Sequence, residues 1–300
     1  MFLGIEIGGT KLQLGLGHGE GEILSLWRGT VAKGSGGEGI RKQIISAVPE
    51  LLERANSKTT DLRGIGVGFG GPTDDGTQSV IKSHHIDGWN GFPLAAWLTD
   101  LLKLPTVICN DADVAGLAEA RHGAGQGLSP LFYVTVGTGI GGGLIVDGEI
   151  YRGCGRGAAE IGHLLVPINS EVRILEAWAA GWGIESRAKE LGCKASPTVR
   201  DLGELAATGD FVASRVIGEA TTALAFAIRQ VIPLVCPRRI VIGGGVSLLG
   251  DELFFAPLLS KLEVNRFEAF AGLTDVVPAR LGEEVVLHGA LVLAKQKFGG

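Results

Sequence analysis

The segment Phe2-Leu3-Gly4-Ile5-Glu6-Ile7-Gly8-Gly9-Thr10-Lys11 places a glycine turn directly after a strand-forming run at the start of the chain. Strand-forming residues resume over 12–16 and again over 22–27, which predicts a β-hairpin followed by a third strand. Glycines let backbone N–H groups approach phosphate oxygens, and the Thr10 hydroxyl adds a further donor. The turn lacks the GxxxxGK[ST] pattern, and taken alone it is more readily explained as structural than as phosphate-binding.

The same pattern begins again later in the chain. A predicted strand over 131–136 is followed by Gly137-Thr138-Gly139 and by a second strand over 140–146. Tyr133–Glu149 can be laid on Gly4–Glu20 at an offset of 129 residues, with identities at three of the 17 positions. The pattern predicts two similar α/β halves whose turns hold the two ends of one polyphosphate. Two unrelated glycine-rich hairpins remain an alternative explanation.

Helices and buried strands fill the rest of the sequence in alternation. Apolar residues at helical spacing predict helices over 38–55, 93–102, 111–122, 174–180, 184–191, 210–231 and 285–297. Short apolar runs predict strands over 64–70, 106–109 and 239–242. This alternation is typical of an α/β protein.

The composition excludes several classes of protein. The chain has 300 residues, of which 45% are apolar and 20% are charged, enough for two domains and too apolar for a disordered chain. Its net charge of −5 argues against a nucleic-acid partner. The 49 glycines cluster in short runs without a period, which excludes collagen and favours turns close to a ligand.

Cysteine usage and targeting signals point to the cytoplasm. The four cysteines form no CxxC pair, which disfavours a disulfide scaffold or a four-cysteine zinc site. The N-terminus carries no signal-peptide pattern. The most apolar stretch, 221–235, is interrupted by Arg229 and Pro233, and we expect no membrane span.

Three polar or glycine-rich segments are candidates for a functional site. Asn110-Asp111 follows a buried strand, where the aspartate either caps a helix or serves as a base for an attacking hydroxyl. Glu160-x-x-His163, with Glu176 further on, places polar side chains in an apolar context and suits recognition of vicinal hydroxyls. The run 243–245 is three glycines after a strand, consistent with a ring lying on backbone or with a tight corner.

Taken in order, these segments resemble the ROK family (repressors, open reading frames and sugar kinases). The resemblance rests on Gly4–Lys11, Gly64–Pro72, Asp87–Gly91, Asn110–Asp113, Val136–Ile145, Asp147–Glu149, Gly157–His163 and Ile240–Val246. It implies the actin/hexokinase-like ATPase fold, with duplicated ribonuclease H-like domains around a cleft. We expect a smaller domain over 1–111 that also takes the final helix at about 285–300, and a larger domain over 112–284.

The resemblance also implies ATP, Mg²⁺ and transfer of a phosphoryl group to a hexose hydroxyl, most often the 6-OH. Asp111 would be the general base. The hexose would be bound by Gly71, Asn90, Asn110, Asp111, Glu160, His163 and Glu176. The nucleotide and its Mg²⁺ would be bound by Glu6, Gly9, Thr10, Lys11, Thr138, Gly139, Gly244 and Gly245, with Glu6 holding the metal through water.

Three positions depart from the family pattern. Glu6 stands where the family usually has aspartate, which adds about 1–1.5 Å of reach in a geometry that Mg²⁺ holds tightly, and we expect activity to survive. The segment 164–175 contains no cysteine where many members carry a zinc loop, so we expect no structural zinc, and apolar packing must order the loop. Ala159 replaces a glycine, which we take as a minor change.

Glucose is the first choice of substrate, ahead of N-acetylmannosamine, N-acetylglucosamine and fructose, and a donor other than ATP stays open. The family suggests a homodimer. One alternative is a sugar-binding protein weakened in catalysis. A sugar-responsive repressor is disfavoured, since only Met1 precedes the first strand where repressors carry a helix-turn-helix. His84-His85 is assigned to a loop, and Trp178 and Trp182 to core or dimer surface.

Overall fold

The computed structural model describes residues 1–31, 34–83, 86–193, 197–264 and 268–300. The pair His84-His85 lies outside the described residues. The helices are α1 (Gly36–Arg54), α2 (Leu94–Leu102), α3 (Asp111–His122), α4 (Leu175–Ala179), α5 (Gly181–Glu190), α6 (Val199–Ala207), α7 (Phe211–Val235), α8 (Ala256–Glu263) and α9 (Val285–Phe298). The strands are β1 (Phe2–Ile7), β2 (Lys11–Gly17), β3 (Ile23–Thr30), β4 (Ile65–Phe69), β5 (Thr73–Asp74), β6 (Ser79–Val80), β7 (Thr106–Asn110), β8 (Leu131–Val136), β9 (Ile140–Val146), β10 (Glu149–Ile150), β11 (Leu165–Ile168), β12 (Glu171–Ile174), β13 (Arg239–Gly243) and β14 (Asp275–Pro278).

The chain divides into two compact units. Unit 1 comprises 1–127, 143–158 and 280–300, and unit 2 comprises 128–142 and 159–279. This division differs from the sequence-based one, because α3 and the segment 143–158 join unit 1. Helix α3 packs along α9, where the backbone of Gly289 lies so near Val114 that an added Cβ would sit 1.9 Å from the Val114 carbonyl oxygen.

Unit 1 is built on a five-stranded sheet with the order β3-β2-β1-β4-β7. The β1–β2 and β2–β3 pairs are antiparallel, whereas β4 runs parallel to both β1 and β7. Helix α9 lies on β1 and β4, and Gly66 permits this approach because an added Cβ would sit 1.9 Å from the Ala290 carbonyl oxygen. The parallel strands bring the ends of β1, β4 and β7 to one edge of the sheet, next to the first turn.

A second five-stranded sheet has the order β10-β9-β8-β13-β14, and the division between the units falls within β9. Strand β13 runs parallel to both β8 and β14. In each sheet the strand that comes first in the chain, β1 or β8, is central. The strand that follows it in sequence lies on one side, and two strands parallel to it lie on the other. This shared order favours a duplication over two unrelated hairpins.

Helix α7 forms the centre of unit 2. It packs against α4, α5, α6 and α8, and it continues through Pro233 to Val235 rather than ending at 231. By length and composition it is the one helix within the described ranges that could cross a membrane, but 61% of its most apolar window is buried. Its packing is that of the core helix of a globular unit.

Candidate functional site

The first glycine turn joins β1 to β2 in unit 1. The Gly8 N–H donates to the Lys11 carbonyl oxygen at 3.0 Å and closes the turn, while the Thr10 carbonyl accepts from the Val31 N–H at 3.0 Å. The Thr10 side chain is exposed. A backbone turn fixed at both ends with an exposed hydroxyl at its tip is suited to an anionic ligand.

Glu6 precedes this turn and is a carboxylate buried at the end of a strand. Its side chain is 5% exposed, and Oε1 lies 3.1 Å from Lys11 Nζ. Burial raises the pKa of Glu6 to about 7, against the lowering effect of Lys11 and with further raising by the negative charges of Asp111 and Glu283. A carboxylate kept at this electrostatic disadvantage marks a candidate functional position.

The second oxygen of Glu6 provides the test of the expected Mg²⁺. Oε2 is buried and has no hydrogen-bond partner within the ranges that the structure describes. A carboxylate oxygen left without a donor is the type of ligand that Mg²⁺ takes, directly or through water. The residues present therefore fit this metal, with Glu6 as the residue that would hold it.

Asn110 and Asp111 lie at the start of α3, where the first caps the helix and the second is its first residue. Asn110 is the N-cap, and its Oδ1 accepts from the N–H groups of Ala112 (2.9 Å) and Asp113 (3.4 Å). Its Nδ2 donates to the Gly71 carbonyl oxygen at 3.1 Å. The capping explanation considered for Asp111 is therefore wrong, because the cap is the preceding asparagine.

Asp111 is the first residue of α3, and its carboxylate points back towards the carboxyl ends of the strands. An added Cβ on Gly70 would lie 3.4 Å from Asp111 Oδ2 and 3.5 Å from the Gly8 Cα, so these groups meet at one place. The structure thus gathers Glu6, Lys11 and Asp111 at the first turn, and the capping asparagine holds Gly71 nearby.

Asn90 belongs to a loop that a buried tryptophan anchors. Trp89 is fully buried, with ring centroids 5.4 Å from Phe69 and 5.3 Å from Phe92, and Arg41 Cζ lies 5.2 Å from its ring. Asn90 itself is exposed, and its Oδ1 accepts from the Ser83 N–H at 3.3 Å. The tryptophan fixes the loop and leaves the asparagine at the surface.

The second glycine turn, Gly137-Thr138-Gly139, lies in unit 2 between β8 and β9. The Gly137 N–H donates to the Gly139 carbonyl at 2.9 Å, and the Gly137 carbonyl accepts from the Gly181 N–H at 2.8 Å. The Thr138 side chain is exposed, as is that of Thr10 in the first turn. Both turns therefore have the same local character, each within its own unit.

The expected hexose ligands of unit 2 lie on one continuous segment. Glu160 and His163 are exposed around the 3₁₀ turn Ile161–His163. Glu176 is the second residue of α4, and the Leu175 N–H donates to the Leu164 carbonyl at 2.8 Å, which places the two ends of the segment side by side. Glu176 is already engaged, since its oxygens accept from the Ile140 N–H and the Trp182 indole, each at 3.2 Å.

Strands β11 and β12 form a hairpin between His163 and Glu176, where the sequence analysis expected a loop ordered by apolar packing in place of zinc. One face of the hairpin is apolar, with Val166 buried and its carbonyl accepting from the Trp178 indole at 3.0 Å. The other contacts are ionic, because Arg173 pairs with Glu190 at 2.9 Å and its Cζ lies 4.8 Å from the Trp178 ring. The expectation was thus incomplete.

A buried arginine extends this ionic support into the core of unit 2. Arg187 is 7% exposed and pairs with Glu219 on α7 at 2.7 Å, with Glu190 at 2.8 Å and with Glu171 of the hairpin at 3.3 Å. The hydrogen bonds that Arg187 donates to Glu219 and Glu190 raise its pKa further above its usual range. The hairpin is therefore tied by charge to the central helix of its unit.

Ala159 is not the minor replacement that the sequence suggested. Its φ is +62°, in the left-handed region that glycine adopts without cost. The Ala159 backbone also lies against Gly142, where an added Cβ would sit 2.1 Å from the Ala159 carbonyl oxygen. The alanine is strained directly before Glu160.

The three glycines after β13 have different roles. Cβ atoms added at Gly243 and Gly244 would lie 2.7 Å from the Tyr133 hydroxyl and 2.5 Å from the Val136 carbonyl, and Gly244 has a φ of +90°. An added Cβ on Gly245 meets nothing within 4 Å. The first two glycines make a tight corner, while the third leaves open space for a ligand.

The two tryptophans have different environments. Trp178 is buried at 1% exposure, as expected for the core, whereas Trp182 is 44% exposed and donates to Glu176. Sequence reasoning missed the contact of Trp182 with Glu176, because the only signal is a spacing of six residues across a helix break.

Within the described ranges, no group of three or more His, Cys, Asp or Glu side chains could hold a metal.

Comparison with known proteins identifies the family. A sequence model of the ROK family matches residues 2–297. The chain is 32% identical to a glucokinase from Halalkalibacterium halodurans, covering 99% of this chain and 95% of that protein. A ROK hexokinase structure from Thermus thermophilus matches with a TM-score of 0.84 at 30% identity, covering 99% of this chain and 98% of the other.

A further structure, a ROK family glucokinase from Streptomyces griseus in complex with glucose and AMPPNP, matches with a TM-score of 0.80 at 30% identity, covering 98% of this chain and 99% of that one. The actin/hexokinase-like fold expected from the sequence is therefore confirmed. Since the family match spans nearly the whole sequence, the chain belongs to the ROK family.

Proposed function

We propose that this protein phosphorylates a hexose with ATP, with glucose as the first candidate and the 6-OH as the accepting group. Membership of the ROK family and similarity to proteins named glucokinase and hexokinase support this activity. The observation that carries it is the placement of Asp111 beside the first glycine turn, with the capping task taken over by Asn110.

Asp111 has the features of a general base. It is fixed at the first position of a helix whose cap is a different side chain, so its carboxylate is held by rigid backbone. The N-terminal end of a helix stabilises a carboxylate in its charged form, which is the form that accepts a proton. In the proposed reaction this carboxylate takes the proton of the hexose hydroxyl as its oxygen attacks the terminal phosphorus of ATP.

The two glycine turns supply the phosphate contacts. We assign the phosphates to the backbone and hydroxyls of Gly9, Thr10, Thr138 and Gly139, with Lys11 as a positive charge, and the adenosine to Gly244 and Gly245. Positioning and charge neutralisation account for most of the catalysis in phosphoryl transfer. Mg²⁺, when bound, neutralises phosphate charge, and Glu6 would hold it. The remaining hexose hydroxyls are assigned to Gly71, Asn90, Asn110, Glu160, His163 and Glu176.

An assay of hexose phosphate formation with a panel of hexoses and phosphate donors tests the proposal directly, with ADP release followed where ATP is the donor. We expect turnover with ATP and Mg²⁺ and the highest kcat/KM for glucose among glucose, N-acetylmannosamine, N-acetylglucosamine and fructose. Hexose binding without turnover under any donor would contradict the kinase activity and identify a sugar-binding protein instead. Turnover only with polyphosphate would replace ATP as donor.

Asp111→Asn tests the base. We expect kcat to fall by about 10²–10⁴-fold while ATP affinity stays within about twofold, because the amide keeps the shape but cannot accept the proton. The matched control is Asp100→Asn, at an exposed position on α2, which we expect to leave kcat unchanged. Normal turnover of the Asp111→Asn variant would remove this residue as the base. The homodimer, the cytoplasmic location and the domain bounds stay predictions.

A further inference from the structure

Trp182 is a half-exposed aromatic residue held by one polar contact. Its side chain is 44% exposed, and its indole N–H donates to Glu176 Oε1 at 3.2 Å. It is the second residue of α5, and Glu176 is the second residue of α4. The proposed catalytic steps assign no role to this indole.

The other oxygen of the same carboxylate holds the second glycine turn. Glu176 Oε2 accepts from the Ile140 N–H at 3.2 Å, immediately after Gly139. An added Cβ on Gly139 would lie 3.3 Å from this oxygen, so backbone and carboxylate are in direct contact. A side chain assigned to the hexose therefore also fixes one end of the turn assigned to phosphate.

The α4–α5 segment holds the other end of the turn as well. The Gly181 N–H donates to the Gly137 carbonyl at 2.8 Å. The junction between the helices is tight, since an added Cβ on Gly183 would lie 2.7 Å from the carbonyl oxygens of Glu176 and Ala177. This close backbone packing keeps the Trp182 indole beside the carboxylate.

We propose that Trp182 is a positioning residue that orients the Glu176 carboxylate, so that the second phosphate turn and the hexose-binding segment are ordered together. This inference rests on the proposed function of those two segments. An ionised carboxylate accepts at about four lone-pair sites, and the two known donors leave sites for a hexose hydroxyl. Because one carboxylate serves both segments, loosening it weakens the binding of nucleotide and of hexose.

Trp182→Phe is the variant that isolates this contact, because it keeps an aromatic ring and removes the N–H. We expect KM to rise about three- to tenfold for both the hexose and ATP, as for loss of one hydrogen bond to a charged group. We also expect the Ile140 amide to exchange its hydrogen about tenfold faster, measured by mass spectrometry of peptides spanning the turn.

Trp27→Phe is the matched control, since the Trp27 indole N–H also donates to a glutamate carboxylate, Glu50 Oε2, at 2.9 Å. It lies on β3 in unit 1, and we expect it to leave both KM values and Ile140 exchange unchanged. In a Glu176→Leu background, which removes the acceptor oxygen, the effect of Trp182→Phe on Ile140 exchange should largely vanish, because the indole acts through that carboxylate.

Unchanged Ile140 exchange in Trp182→Phe, or a rise in only one of the two KM values, would overturn the inference. A generally destabilised variant would instead show a lower urea midpoint and faster exchange throughout unit 2, which would also overturn it. Failure of the proposed function is distinguishable, because the wild-type protein would then turn over no hexose with any donor. The exchange measurement needs no activity and decides the positioning contact by itself.

Discussion

Replacing Glu6 by glutamine is expected to stabilise the folded protein at alkaline pH while abolishing most of the proposed kinase activity. The carboxylate is 5% exposed, and burial raises its pKa from 4.5 to about 7. In the unfolded chain the same group ionises at its ordinary value. Glutamine keeps the size of the side chain and cannot ionise, so the variant measures what the buried charge costs.

The sign and the size follow from proton linkage. Between pH 4.5 and about 7 the folded protein holds a proton that the unfolded chain has already released, so stability falls as pH rises through this window. The loss is complete above the folded-state pKa and amounts to about 3 kcal/mol. We therefore expect the two proteins to have similar stabilities near pH 4.5, and the variant to exceed the wild type by up to about 3 kcal/mol at pH 8.

The ion pair with Lys11 does not offset this gain. Its ammonium is 41% exposed, and it also donates to the Glu283 carbonyl oxygen at 3.0 Å, a contact that the variant keeps. An exposed cation that loses one partner recovers water, whereas a buried carboxylate cannot. The net effect of removing the charge at high pH is therefore stabilisation.

Urea unfolding at pH 5, 6, 7 and 8, in EDTA and without nucleotide, measures the difference. Glu38→Gln is the control, because a hydrogen bond from Lys42 lowers the pKa of this exposed carboxyl and the linkage reverses. We expect the free energy of unfolding of Glu38→Gln to fall relative to that of the wild type as pH rises. A stability difference for Glu6→Gln that is the same at every pH would refute the argument from burial.

Three further outcomes concern stability. Arg187→Met should lower the free energy of unfolding by about 2 kcal/mol in urea, since it removes the buried cation paired with Glu219 and leaves that buried carboxylate with the more exposed Arg215. A loss below about 1 kcal/mol would show that the pair adds little. Gly244→Ala should lower the free energy of unfolding by about 3 kcal/mol, because the added Cβ meets the Val136 backbone and the φ is +90°. Gly245→Ala should keep the urea midpoint of the wild type and raise the KM for ATP. Equal urea midpoints for the two variants would contradict this. Ala159→Gly should raise the free energy of unfolding by about 0.5 kcal/mol, because the relief of backbone strain exceeds the entropy cost of glycine. Its control, Ala96→Gly at an exposed position of α2, should lower the free energy of unfolding by about 1 kcal/mol. Equal losses of stability for the two variants would exclude strain at Ala159.

Local patterns predicted much of the fold. The bounds of β1, α3, β8 and β9 agree to the residue with the sequence analysis, because glycine turns and helix caps mark them at short range. The two glycine turns were also found, since their composition alone distinguishes them. The signal for α6 was present but overlooked: Thr198 and Asp201 form a reciprocal capping box at its start.

Long-range contacts set the features that the sequence could not predict. The hairpin of β11 and β12 is supported by Arg187, which lies on α5 and pairs with Glu171 of the hairpin and with Glu219 on α7. No local pattern shows which glutamate an arginine will meet. The sequence also could not predict which of Asn110 and Asp111 caps α3. Both residue types are good N-caps, and only the helix start seen in the structure decides between them.

Two costly features of this chain lie in or next to the segments assigned to catalysis. Glu6 carries a charge where burial opposes it, and Ala159 adopts a φ that glycine would tolerate better. Neither feature improves packing, and each has a simple replacement that relieves it. Stability alone would favour glutamine at the first position and glycine at the second, so their presence needs another explanation. For Glu6 we propose metal binding as that explanation, since its Oε2 is buried and has no hydrogen-bond partner among the described residues.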